Sequence, residues 1–116
     1  MVALLFPGQG SQFVGMGRDL ADRFPEARAV FEEADDALGF SLSRLMWEGP
    51  EEELTATLNA QPAILTHSVA VHRLVASRLG AVRFAAGHSL GEFSAYVAAE
   101  GLRFDDAVRT VRRRGE

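Results

Sequence analysis

Cysteine is missing from the sequence altogether, which excludes disulfides and thiolate-ligated metal. Lysine is missing too: all 12 basic residues are arginine, a bias that genome composition and adaptation to heat explain equally well. Positive charge is in deficit. The 16 acidic residues leave a formal net charge of −4, so there is no general basic footprint for nucleic acid. No apolar run is long enough to span a membrane. Met1-Val2-Ala3-Leu4-Leu5-Phe6 is apolar, but it lacks a basic leader and ends in Pro-Gly. That pattern reads as a buried strand rather than a signal peptide, and it makes the cytoplasm the expected compartment. There is no internal repeat, low-complexity tract or charged tail. What is present, 116 residues with 47% hydrophobic and 24% charged, suits one globular domain or part of one.

Periodicity and punctuation lay out the elements. Val2 to Phe6 reads as a short buried strand closed by a Pro-Gly turn, and 6–12 as a loop. Arg18 to Phe24 is a short helix. Pro25 then starts a second one, with Ala27, Val30, Phe31, Ala34 and Leu38 at helical spacing and Gly39 as its stop. Leu42, Leu45, Met46 and Trp47 suggest an amphipathic turn. Pro50-Glu51-Glu52-Glu53 starts another helix, its acidic first turn complementing the dipole. Pro62 is expected to open a long helix whose inner face carries Ile64, Leu65, Ser68, Val71, Val75 and Leu79, with Gly80 ending it. Val82 to Ala86 is a strand, Glu92 to Ala99 a helix, and Asp105 to Arg113 the last helix. This order favours an α/β fold with a parallel sheet. Two strands do not make a sheet that helices cover on both faces. The chain is therefore expected to be the front part of a larger domain whose later strands are elsewhere.

Between the second strand and its helix stands Gly87-His88-Ser89-Leu90-Gly91, a G-x-S-x-G. A strand that bends sharply into a helix with serine at the bend is an α/β-hydrolase-like nucleophile elbow. The flanking glycines keep the turn uncrowded. The helix start aims free N–H groups and the positive dipole end at the place where a tetrahedral oxyanion forms. The competing reading is a glycine-rich turn whose serine merely caps the helix.

A nucleophilic serine needs a base. In hydrolases with this elbow the histidine comes later in the chain, yet no histidine follows Ser89 here. His88 adjoins Ser89 at a strand end, so its side chain is expected on the other face, as a buried imidazole. His67 and His72 are five apart on a helix, about 140° around the axis, which does not make a metal-binding pair. Both are expected in surface or packing roles, and the base is expected from sequence outside the chain.

The loop Phe6-Pro7-Gly8-Gln9-Gly10-Ser11-Gln12 follows a strand, so it belongs at the carboxyl edge where open α/β sheets place their sites. It has neither the G-K-[ST] of a phosphate loop nor the glycine spacing of a dinucleotide fingerprint. It is a tight turn presenting an amide, or a turn with no catalytic part. Arg112-Arg113-Arg114 reads as a solvated helix end. Alternatively, one of the three faces the site and binds a carboxylate bidentately.

Taken together and in register, Phe6 to Gln12, Gln61-Pro62-Ala63-Ile64, Gly87-His88-Ser89-Leu90-Gly91-Glu92 and Arg114-Gly115 resemble the malonyl-CoA:acyl carrier protein transacylases of fatty-acid synthesis and the related acyltransferase domains of polyketide synthases. The resemblance runs over the whole chain. It implies that Ser89 is acylated, that the backbone N–H groups of Gln9 and Leu90 form the oxyanion hole, and that Arg114 holds the malonyl carboxylate. Gln61 would support the pocket between the first loop and the elbow, with His88 lining it rather than acting as base. By resemblance, residues 1–116 are the N-terminal portion of the large α/β acyltransferase subdomain. The catalytic histidine and a ferredoxin-like subdomain would come later.

The implied reaction is an acyl exchange. Ser89 takes malonyl from the coenzyme A thioester, and the phosphopantetheine thiol of acyl carrier protein then takes it from Ser89. Coenzyme A enters as substrate; no cofactor or metal is implied. A serine hydrolase or thioesterase shares the elbow, but the 6–12 loop and Arg114 count against it. A non-enzymatic folding or interaction module is the other alternative, because the base is missing. The isolated chain is expected to show at most a trace of activity. A start at Met1 directly before the first strand favours a free-standing enzyme over a synthase domain.

Overall fold

The computed structural model describes residues 2–6, 8, 10, 12–76, 82–87, 91, 94, 97–98 and 102–115. Two strands, β1 (Val2–Phe6) and β2 (Val82–Gly87), accompany six helices: α1 (Arg18–Arg23), α2 (Pro25–Leu38), α3 (Leu42–Glu48), α4 (Glu51–Thr55), α5 (Thr57–Val75) and α6 (Phe104–Gly115). Gly91, Ser94, Val97 and Ala98 are also helical. Gly80, Leu79 and the remainder of the helix expected over 92–99 lie outside the described residues.

The expected α/β fold class, a parallel sheet carrying an elbow, is corrected by this architecture. The described molecule is overwhelmingly helical, and no layered sheet is present among the described residues. β1 and β2 form a single two-stranded parallel pair, with Phe6 opposite Gly87. The described core is instead helix against helix. α5 packs on α2 and on α6, and α2 packs on α1, α3 and α6. The physical reason is where the apolar surface falls. Val30, Phe31, Leu42, Met46, Leu54, Ile64, Leu65, Val108 and Val111 are all essentially inaccessible to solvent, and all of them stand on helices.

Local chemistry explains most boundaries. Pro25 occupies the first position of α2, where its missing N–H costs nothing, and Gly39 closes the helix with φ 79°. Ser41 caps α3 by accepting a hydrogen bond from the Arg44 N–H at 3.3 Å. Asp35 reinforces that cap from α2. Its carboxylate accepts from the Ser43 N–H at 2.9 Å and from the Ser43 hydroxyl at 2.6 Å. Glu51, Glu52 and Glu53 form the first turn of α4 behind Pro50. α6 is held to α2 by Arg109, whose Nε donates to the Ala37 carbonyl at 3.2 Å. That carbonyl belongs to the last turn of α2 and has no partner within its own helix.

The central helix departs from expectation twice. It opens at Thr57, with Pro62 inside it, because Asn59 and Ala60 already donate to the Ala56 carbonyl. Pro62 leaves the Leu58 carbonyl without its helical donor. Secondly, the buried surface is not one stripe. Residues 60–66 and 68–70 are all buried, whereas Val71 is 36% exposed and Val75 is only partly covered. A helix buried nearly all round is a core helix enclosed by neighbours.

Candidate active site

Parallel pairing decides where the site-bearing segments leave the strands. Because Phe6 faces Gly87, β1 and β2 terminate at the same end of the pair. Gln9 follows Phe6 by three residues and Ser89 follows Gly87 by two. Gln9, His88, Ser89 and Leu90 themselves lie outside the described residues.

Beyond Gln9, the loop is tied to the helical body. Gly10 adopts φ 108°, which side-chain-bearing residues avoid, and its N–H donates to Gln12 Oε1 at 2.8 Å. The Gly15 N–H donates to the Met46 carbonyl of α3 at 2.7 Å. Met16 is buried in the core. Gly17 lies so close beneath Phe31 and His67 that a Cβ there would come within 2.5 Å of the Phe31 ring. The loop is therefore anchored on α2, α3 and α5.

Gln61 sits on α5 with 7% of its surface exposed. Its Oε1 is buried and has no hydrogen-bond partner among the described residues. The Ser94 hydroxyl, fully buried on the helical stretch beyond 91, shares that condition. Trp47 Nε1 and Thr66 Oγ1 are likewise buried without a partner among the described residues, and a buried polar group left unpaired is costly.

Arg114 is exposed in the last turn of α6, directly before Gly115. Gly115 is pressed against the first turn of α5. A Cβ on it would lie 2.5 Å from Leu58 Cα, 2.7 Å from Leu58 N and 2.8 Å from the Thr57 carbonyl oxygen. All three are backbone atoms that cannot rotate away. Gly115 thus brings the Arg114 end of α6 onto the N-terminal turn of the helix that carries Gln61. The three consecutive arginines differ sharply in use. Arg112 donates from Nη1 to Asn59 Oδ1, and its guanidinium lies 4.4 Å from the Phe40 ring centroid, whereas Arg113 is exposed. Nothing near Arg112 in sequence signals this, because Asn59 stands 53 positions away.

The two described histidines have different surroundings. His67 is half-buried against Gly17, and desolvation by burial lowers its pKa from the ordinary 6.5. It packs, as expected. His72 lines a groove of about 420 Å³ with Val69, Arg73, Leu102 and Phe104. Among the described residues, no cluster of three or more histidine, aspartate or glutamate side chains is placed to hold a metal, and no helix is long and apolar enough to cross a membrane.

Known proteins share the sequence and fold of most of this chain. The profile of the family described as "Acyl transferase domain" matches residues 3–116. The malonyl CoA-acyl carrier protein transacylase of Bacillus subtilis (strain 168) is 56% identical over 115 residues, covering 99% of this chain and 36% of the relative. The acyl-carrier-protein S-malonyltransferase of Bartonella henselae superposes with a TM-score of 0.94 at 50% identity, covering 99% of this chain and 38% of that one. A malonyl-transacylase solved in complex with its type II PKS acyl-carrier protein gives 0.92 at 50% identity, covering 97% and 37%. The chain thus spans little more than a third of the length of these relatives. With a family profile matching almost every residue, this chain belongs to the acyl transferase domain family.

Proposed function

We propose that the chain carries the nucleophile and the carboxylate-recognising part of an acyltransferase that moves a malonyl group from coenzyme A to the phosphopantetheine thiol of acyl carrier protein, in fatty-acid biosynthesis in the cytoplasm. The observation that supports the reading is the common end of β1 and β2: Phe6, three residues before Gln9, pairs with Gly87, two residues before Ser89. High identity to transacylases across the same residues supports it.

In this reading Ser89 Oγ attacks the thioester carbonyl carbon. Its proton passes to a base outside residues 1–116. The backbone N–H groups of Gln9 and Leu90 take up the charge that develops on the carbonyl oxygen, each contributing about 3–4 kcal/mol. The C–S bond breaks, coenzyme A leaves as the thiol, and malonyl remains as an ester on Ser89. The carrier thiol attacks that ester and the serine recovers its proton. Arg114 pairs bidentately with the free malonyl carboxylate, and an acetyl group would leave this guanidinium unmatched. Gln61 Oε1, buried and without a described partner, supplies an acceptor between the first loop and the Ser89 segment. His88 lines the pocket. The steps need no metal, and coenzyme A serves only as substrate.

The test grafts residues 1–116 in place of the matching segment of the Bacillus subtilis transacylase. Arg114→Ala should lower malonyl transfer about tenfold or more while leaving acetyl transfer nearly unchanged. Equal losses on both substrates would rule out carboxylate recognition by Arg114.

A further inference from the structure

We propose that Arg112, held by Asn59 and Phe40, is a positioning residue that fixes the end of α6 and so orders the Arg114 guanidinium. The proposal rests on Arg114 being the carboxylate ligand only for its consequence in binding; the ordering itself stands on geometry.

Residues two apart on a helix lie about 200° apart around its axis. Arg112 and Arg114 therefore leave α6 on nearly opposite sides, and an anchor at the first sets the azimuth of the second. The anchor has two parts. Arg112 Nη1 donates to Asn59 Oδ1, and the guanidinium stacks on the Phe40 ring with 4.4 Å between its Cζ and the centroid. Asn59 is itself fixed, because its Nδ2 donates to the Glu53 carbonyl at 2.8 Å. The chain of contacts runs from the last turn of α4, through the first turn of α5, to the last turn of α6. Gly115 completes it from the far side of Arg114 by contacting the Leu58 backbone. Helix ends fray unless held. Here a residue on each side of Arg114 is secured to the same turn of α5. An Arg rather than a Lys at 112 serves both contacts at once, since its planar fork donates along its edge while its face lies on the ring.

The experiment uses the grafted enzyme, with residues 1–116 in place of the matching segment of the Bacillus subtilis transacylase, observing arginine Nε–H groups by NMR relaxation and titrating sodium malonate, with sodium acetate as control. In the native sequence the Arg114 Nε–H should be ordered. Arg112→Ala should make it mobile and weaken malonate binding about threefold, with Arg112→Lys intermediate. Asn59→Ala, which leaves the Phe40 contact intact, should also give an intermediate result. Should Arg112→Ala fail to fold, the Lys and Asn59 variants decide by the same signal. An Arg114 Nε–H as rigid in the folded variants as in the native chain would overturn the proposal. Arg114→Ala separates the two claims. If it leaves malonate binding unchanged, the carboxylate role falls, while the relaxation of Arg114 still decides the positioning role.

Discussion

Gly115 is hemmed in by backbone and leaves little room for a side chain. Its neighbours at 2.5–2.8 Å from a would-be Cβ are the Leu58 and Thr57 backbones. Gly115→Ala must push α6 off α5, and it should lower stability by about 1–3 kcal/mol in urea unfolding. The reason for that glycine could not be read from sequence. It depends on a helix that begins 58 residues earlier. His67 allows a pH prediction. Burial lowers its folded pKa below 6.5, so the unfolded chain binds more protons once pH falls past that value. Stability should be greatest above pH 6.5, fall as pH drops from there, and level off below the lowered folded value as far as this group is concerned. Urea midpoints measured across that range should show the slope, and His67→Gln should flatten it. The sequence left His67 between a surface and a packing role. The close approach of Gly17 to it could not be read there, because the two meet only through the fold.

At the scale of elements, α2 and α3 are coupled through a single carboxylate. Asp35 accepts two hydrogen bonds from Ser43, one of them from a backbone N–H in the first turn of α3. Asp35→Ala removes both acceptors while Ser43 stays 8% exposed, and it should cost about 1.5–3 kcal/mol by the same unfolding assay. Surface pairs such as Arg28–Glu32 and Arg44–Glu48 should contribute far less, since both partners are solvated. Boundaries set by local chemistry were readable in advance: Pro25, Gly39, the acidic turn after Pro50, and the apolar spacing of α2. α5 was misread where tertiary context decides. Periodicity assumes one wet face, but α5 is enclosed by α2, α4 and α6, so its inner face could not be told from its outer one. Its start at Thr57 was hidden because Pro62 looks like a first-turn proline. The sheet was over-read for a related reason. Two good strand patterns promise a layered α/β body, whereas the described mass is helices burying one another.

For the molecule as a whole, the motifs proved more durable than the architecture drawn from them. Four short segments, at 6–12, 61–64, 87–92 and 114–115, pointed to one family, and the family profile covers residues 3–116. What was legible was the family, which depends on residue type and spacing in those four segments. What was not legible was the scaffold holding them, above all the Arg112–Asn59–Phe40 anchor. No histidine follows Ser89, where hydrolases with such an elbow carry their base, so the 116-residue chain alone should turn over malonyl-CoA at no more than a trace of the rate of the grafted enzyme. A coupled thiol-release assay on the two proteins side by side measures that difference.

The most direct test follows the malonyl group itself. The grafted enzyme is mixed with malonyl-CoA without carrier protein, quenched, digested and weighed peptide by peptide. One malonyl ester should be found on the peptide containing Ser89, should disappear on adding acyl carrier protein, and should never form in Ser89→Ala. Malonyl on a different residue, or undiminished transfer by Ser89→Ala, would contradict the account.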